Sequence, residues 1–361
     1  MKAIGRIRRM SWLSATAATA AAMILAGSTA EAARSHPYNS SASSAQSQAG
    51  PSHSGPGYPP PKGIYRPFTD CPLLNPLMQE SLGGSATGCV AGVVTTGSIK
   101  IGNITTPITH PVIAQFGIWD PPNATPSQFT GGILPPPGGL TAQLVTSPEF
   151  VPGGLLKALG CPGTKAPVEH ICSKAARLGG KYLKVYALAE SIGPITNFAL
   201  TSWTQPVKFQ LINPLLGKFC SIGSIDNPVV TNPSITTGKL VIEPDPHPKN
   251  HPDTDVLKIK NASATDTTFT APGVTGCGPG GSANIAVDEA IDTSVGLPSA
   301  SGVNSLTLDG TFFLAACFAP KNMANILLSA FKASARSGAA GRQQASHPIT
   351  FASLRGRYGF R

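Results

Sequence analysis

Charge is scarce in this chain. Asp, Glu, Lys and Arg make up 12% of its 361 residues, about half the usual share. Aromatic residues are thin as well, at 6%, with three tryptophans in the whole length. No Cys-x-x-Cys pair occurs, which removes the usual spacing of a zinc site or a thiol redox motif. A Gly-x-Ser-x-Gly nucleophile elbow and a phosphate-cradling P-loop are also missing. These absences set aside the enzyme classes that announce themselves by a short motif.

Turn formers are abundant instead. Gly (39) and Pro (35) fill about a fifth of the chain, which disfavours long helices and favours short strands joined by turns. The net charge of +10 suggests a basic protein until its distribution is read. Lys2, Arg6, Arg8 and Arg9 lie in residues 1–32, and seven more cations lie in 321–361 without an acid. Residues 33–320 are left neutral, so the body offers no electrostatic footprint for nucleic acid.

Residues 1–32 combine a basic start, an apolar run from about Trp12 to Ala26, and Ala30-Glu31-Ala32 as a cleavage site. That is the pattern of a secretory signal peptide, so the expected location is secreted or cell-envelope associated. All seven cysteines lie beyond it, where export brings oxidising conditions and pairing. Seven cysteines allow 105 sets of three bridges and one odd thiol. Pairing neighbours gives Cys71–Cys89, Cys161–Cys172 and Cys220–Cys277, with Cys317 as a buried free thiol. On the chain-entropy account the first two bridges are worth about 3 kcal/mol each and the third about 4.

The most organised stretch is Pro206–Cys220. Phe209 and Leu211 alternate with Lys208 and Gln210, the period of a strand with one buried face, and Asn213-Pro214 stops it. Similar short runs recur at 90–94, 98–101, 112–118, 182–187, 198–201, 239–242, 256–260, 267–270 and 305–314. Helices are expected at 155–159, 168–178 and 284–295. The fold class is therefore all-β: a disulfide-stabilised, sandwich-like body of one lobe or two similar lobes (64–178 and 179–320) with few short helices. Residues 33–63, rich in Ser, Pro and Gly, read as a disordered spacer. An echo joins the halves, with Leu73–Leu77 matching Leu211–Leu215 and Thr95-Thr96-Gly97 matching Thr236-Thr237-Gly238; duplication and repeated turn chemistry both account for it. In the basic tail, 321–361, Met323, Ile326, Leu327, Ala330 and Phe331 fall at helical spacing. That stripe fits either an anionic membrane surface or the protein's own core.

Part of the sequence resembles a group of exported actinobacterial proteins of unknown function. The resemblance runs over about 180–315. It is carried by Pro206-Val207-Lys208, Asn213-Pro214-Leu215-Leu216-Gly217, Cys220-Ser221-Ile222-Gly223-Ser224, Asn227-Pro228 and Thr236-Thr237-Gly238. Ala271–Gly278, Gly296-Leu297-Pro298-Ser299 and Gly302-Val303-Asn304 extend it, and Phe150–Leu155 adds a weaker match upstream. It implies export and a bridge between Cys220 and Cys277, and no activity. The extension after Cys317 departs from the pattern.

Candidate chemistry is sparse. His170 or His247 beside a Ser or carboxylate would make a hydrolase. The acids and histidines from Glu243 to Asp255 offer calcium or zinc ligands, but the interleaved prolines favour a solvated loop. Trp119 and Trp203 could stack on a sugar. No catalytic residue, metal or cofactor is assigned. The leading expectation is a non-enzymatic envelope or extracellular protein, structural or adhesive. A glycan- or lipid-binding β module comes second and an extracellular hydrolase third, and an apolar cleft would favour the second.

Overall fold

The computed structural model describes residues 57–79, 87–119, 132–246, 254–280, 282–317 and 323–336. Its strands are β1 (Thr87–Ile101), β2 (Ile104–Ile108), β3 (Val112–Trp119), β4 (Gly132–Leu134), β5 (Leu144–Val145), β6 (Glu149–Phe150), β7 (Tyr186–Ser191) and β8 (Thr196–Ala199). They continue with β9 (Ser202–Ile212), β10 (Ser221–Ile222), β11 (Val229–Thr231), β12 (Ser234–Glu243), β13 (Val256–Asp266), β14 (Val274–Thr275) and β15 (Ser305–Cys317). The helices are α1 (Pro76–Gln79), α2 (Leu140–Gln143), α3 (Gly154–Ala158), α4 (Val168–Leu178), α5 (Ser282–Val295) and α6 (Met323–Arg336).

The body is all-β with few short helices, and its strands form one antiparallel sheet. The main path runs β14-β10-β9-β12-β13-β15-β1-β3-β4, so β1 from the first half lies against β15 from the second. Strand β9 turns the sheet back on itself. Its first residue pairs with β12, while its later residues pair with β11, β7 and β10. Two leaves result, and β9 belongs to both. Its residues Gln205, Val207, Phe209 and Leu211 are buried in strict alternation, the face that a period of two demands.

Burial explains why the chain folds this way. Between the leaves, Ile99 and Ile101 of β1 and Leu306 and Leu308 of β15 meet Val207, Phe209 and Leu211; α3, α4 and α5 add Leu155, Ile171 and Ile291. On the opposite side of β1, Cys89 and Ala91 are covered by Tyr65, Phe68, Leu327 and Phe331. Leu327 and Phe331 are fully buried, so the apolar stripe of α6 is spent on the protein's own core. A third cluster gathers Val90, Phe116, Ile118, Ile195 and Leu314.

The three bridges join Cys71 to Cys89, Cys161 to Cys172 and Cys220 to Cys277. Cys317 ends β15, and its side chain lies outside the described residues. Helix α4 spans the predicted residues, and β1 joins two predicted strands through a bulge at Val94/Thr96. Gly97 follows that bulge at φ 147°, where a Cβ would run into the Thr307 carbonyl. Gly238 takes φ 144° beside the irregularities of β12. The other half of the echo is also local: Leu77 N–H donates to Asn75 Oδ1 (3.0 Å) and Leu215 N–H to Asn213 Oδ1 (2.7 Å). Both parts of the echo coincide with local devices, an Asn-Pro turn and a positive-φ glycine at a strand irregularity.

Three predicted strands need correction. The one expected at 198–201 ends at Ala199, and Leu200 and Thr201 form the turn into β9. Residues 267–270 are irregular, because Asp266 Oδ1 accepts from both the backbone N–H and the hydroxyl of Thr268, at 2.7 Å each, and curls the chain off the ladder. The strand expected from Tyr182 starts only at Tyr186, after a 3₁₀ turn at Gly180–Tyr182. Asn213 pins that segment by donating to the carbonyls of Tyr182 and Lys184, at 3.0 and 2.7 Å.

Candidate ligand-binding cavity

The wall between the leaves carries polar groups where a core would be apolar. Gln143 closes α2, and Val145, Ser147 and Glu149 alternate after it along extended chain; all four are buried. Three of them are polar. Across from them, β9 buries Gln205 in phase with Val207, Phe209 and Leu211.

Ser147, Glu149 and Gln205 help to line a cavity of about 100 Å³, whose apolar lining includes Ile99, Val112, Phe209, Leu306 and Leu308. A second cavity of about 50 Å³ shares Ile99, Thr106, Ala187 and Phe209 with the first and is otherwise walled by Ile101, Ile104, Leu211 and Ile291. Beyond Trp203, which also lines the first, a third space of about 30 Å³ lies among Phe116, Phe198 and Phe312. Trp203 packs on Phe312 at 5.4 Å and so stands between the interior and the outer groove. Together the first two cavities have the volume, ~150 Å³, of a cavity that accepts benzene.

A hydrogen-bond account of the lining separates structural from unspent groups. Glu149 is fully engaged. Its carboxylate accepts from Thr109 N–H (2.9 Å), the Thr109 hydroxyl (2.6 Å), His110 N–H (2.7 Å) and His110 Nδ1 (3.2 Å). Four donors fill the four lone-pair sites of a carboxylate, so this residue ties β6 to the β2–β3 turn. Thr146 and Thr231 donate to the carbonyls of Ala189 and Gln205. Gln205 Nε2, Ser147 Oγ and both amide atoms of Gln143 have no partner among the described residues. Each such group costs about 1–3 kcal/mol when buried. Two of the three residues, Gln205 and Ser147, face one cavity.

No family model, curated protein or solved structure matches this chain. Function is therefore read from the cavity.

The sequence candidates are scattered by the fold. His170 sits exposed on α4 and makes no hydrogen bond among the described residues, while His247, His251 and Asp253 lie outside them. Trp119 joins the cluster on one face of β3 and Trp203 the cluster on the other, so the two rings do not form one sugar-stacking face. In the acidic stretch, Glu243 pairs with Lys258 and Lys260 at 3.3 and 3.6 Å. Asp245 is buried and accepts from Tyr65 Oη (2.7 Å) and Thr254 Oγ1 (2.8 Å). Burial pushes the Tyr65 phenol far above its usual range, so it stays a donor at every physiological pH. Asp245 thus ties the end of β12 to Tyr65, while Glu243 is paired within the β12–β13 hairpin; among the described residues no three His, Cys, Asp or Glu side chains gather into a metal-binding group. The site residues that sequence reasoning missed are Gln205 and Ser147. Gln205 lies two residues ahead of Val207 in the buried register of β9, a polar residue in a core position.

Proposed function

We propose that this protein is a non-enzymatic binding module that holds a small apolar molecule between the leaves of its sheet, outside the cytoplasm. The observation that carries the reading is the pair of adjoining apolar cavities lined by Ile99 and Phe209, the larger one carrying the unpartnered polar side chains of Gln205 and Ser147 on facing walls. An apolar cleft of this kind favours lipid over glycan, because hydroxyl-rich sugars need many more polar partners than the lining offers. Three bridges fit an oxidising compartment, and among the described residues no helix is long and apolar enough to cross a membrane. The test is thermal: benzene, n-hexane or methyl hexanoate should raise the melting temperature in proportion to the logarithm of concentration above its dissociation constant. Ala189→Leu, which fills the cavity, should abolish the rise. No shift with any of the three compounds refutes the reading.

A structural or adhesive role keeps one observation in its favour. Strand β12 meets β9 only at Ser234, and its Leu240 and Ile242 are 45% and 46% exposed. Paired antiparallel with a second copy about Val241, β12 would set Lys239 against Glu243. Light scattering decides: a monomer at micromolar concentration removes this reading.

A further inference from the structure

We infer that the ligand is a neutral acyl compound whose carbonyl, as an ester or amide, is held by Gln205 and Ser147 while its chain fills the adjoining apolar chamber. This rests on the cavity reading above and deepens it. Both side chains are at least nine-tenths buried (each 5% exposed), both line the larger cavity, and neither Gln205 Nε2 nor Ser147 Oγ has a partner among the described residues. An amide nitrogen only donates, so what it meets must accept. The lining also disfavours charge of either sign. A carboxylate would share the lining with Glu149, and like charges in a poorly solvated site repel strongly. A cation would find Glu149 already saturated by Thr109 and His110.

The chain end is set by the second chamber, whose walls at Ile101, Ile104, Leu211 and Ile291 carry no charge. The room in the two chambers corresponds to about six carbons. Longer chains need Trp203 to swing away from Phe312 and open the third space.

The experiment compares three probes of equal chain length, n-hexane, methyl hexanoate and hexanoate, by titration at pH 7.5. Wild type should bind methyl hexanoate about 5- to 10-fold more tightly than n-hexane, and hexanoate weakest of the three. Gln205→Leu should erase the preference for the ester over n-hexane, and Ser147→Ala should reduce it. Gln205→Met provides the same test if the leucine variant does not fold. Equal affinity for ester and hydrocarbon in wild type overturns the inference, as does a preference that survives both substitutions, and the cavity reading then stands. Binding of hexanoate above the ester also overturns it. If none of the probes binds, both readings fail together.

Discussion

Strand β9 carries two glutamines on opposite faces, and they should respond to substitution in opposite directions. Gln210 donates to the Lys218 carbonyl at 2.9 Å near the surface, whereas Gln205 is buried with its Nε2 unpartnered among the described residues. Replacing Gln205 by leucine, which is similar in size, removes a desolvated donor that costs about 1–3 kcal/mol and leaves the backbone pairing with Thr231 untouched. For a folded body of this size each kcal/mol moves the melting temperature by about 2–4 °C. Gln205→Leu should thus melt about 2–12 °C above wild type in the absence of ligand, by calorimetry, and show a higher urea midpoint with an unchanged m-value. Gln210→Leu, losing one exposed hydrogen bond, should fall by about 1 kcal/mol or less. If Gln205→Leu is instead the less stable of the two by more than about 1 kcal/mol, its amide is satisfied and the site argument is wrong. The gain would come at the expense of ligand selection, the usual trade at a functional site.

Three further outcomes follow from other parts of the fold. Asp288 and Asp292 of α5 accept from the N–H groups of Gly276, Cys277 and Val274, yet burial outweighs those bonds and raises both carboxyls above 3.8. A raised folded pKa means that the charged forms cost stability, and the cost disappears as pH falls through the folded pKa toward 3.8. The melting temperature of Asp292→Asn relative to wild type should therefore be higher at pH 7 than at pH 4; the reverse order would show that the backbone bonds dominate. Buried Asn304 accepts from Gly102 N–H and the Ser299 hydroxyl and donates to the Phe269 carbonyl, so Asn304→Ala should cost about 2–4 kcal/mol in urea unfolding. Phe331 is fully buried against Tyr65 (5.0 Å) and Phe68 (5.9 Å), and Phe331→Ala should cost about 3–5 kcal/mol; a neutral result would mean that α6 does not belong to the core.

The features legible in the sequence were those with enough length to show a period. Phe209 and Leu211 marked β9, and the 11 residues of α4 carried an apolar face. Strands β5, β6, β10 and β14 hold two residues each, too few for any alternation to register. Residues 267–270 looked like a strand because threonines favour strands, but one carboxylate from Asp266 overrode that propensity. The cavity wall was hidden for a different reason. Ser147 and Glu149 line the cavity, so the polar phase of their alternation reads as the solvent side unless the opposing strand is known. Gln205 could have been found by carrying the β9 register one step further back.

The most direct test of the central claim is solution NMR of the protein with methyl hexanoate. Nuclear Overhauser contacts are expected between the ligand chain and Ile99, Phe209 and Leu306, with the ester methyl near Gln205. Contacts confined to surface residues, or a complete absence of transferred signal at millimolar ligand, would contradict it.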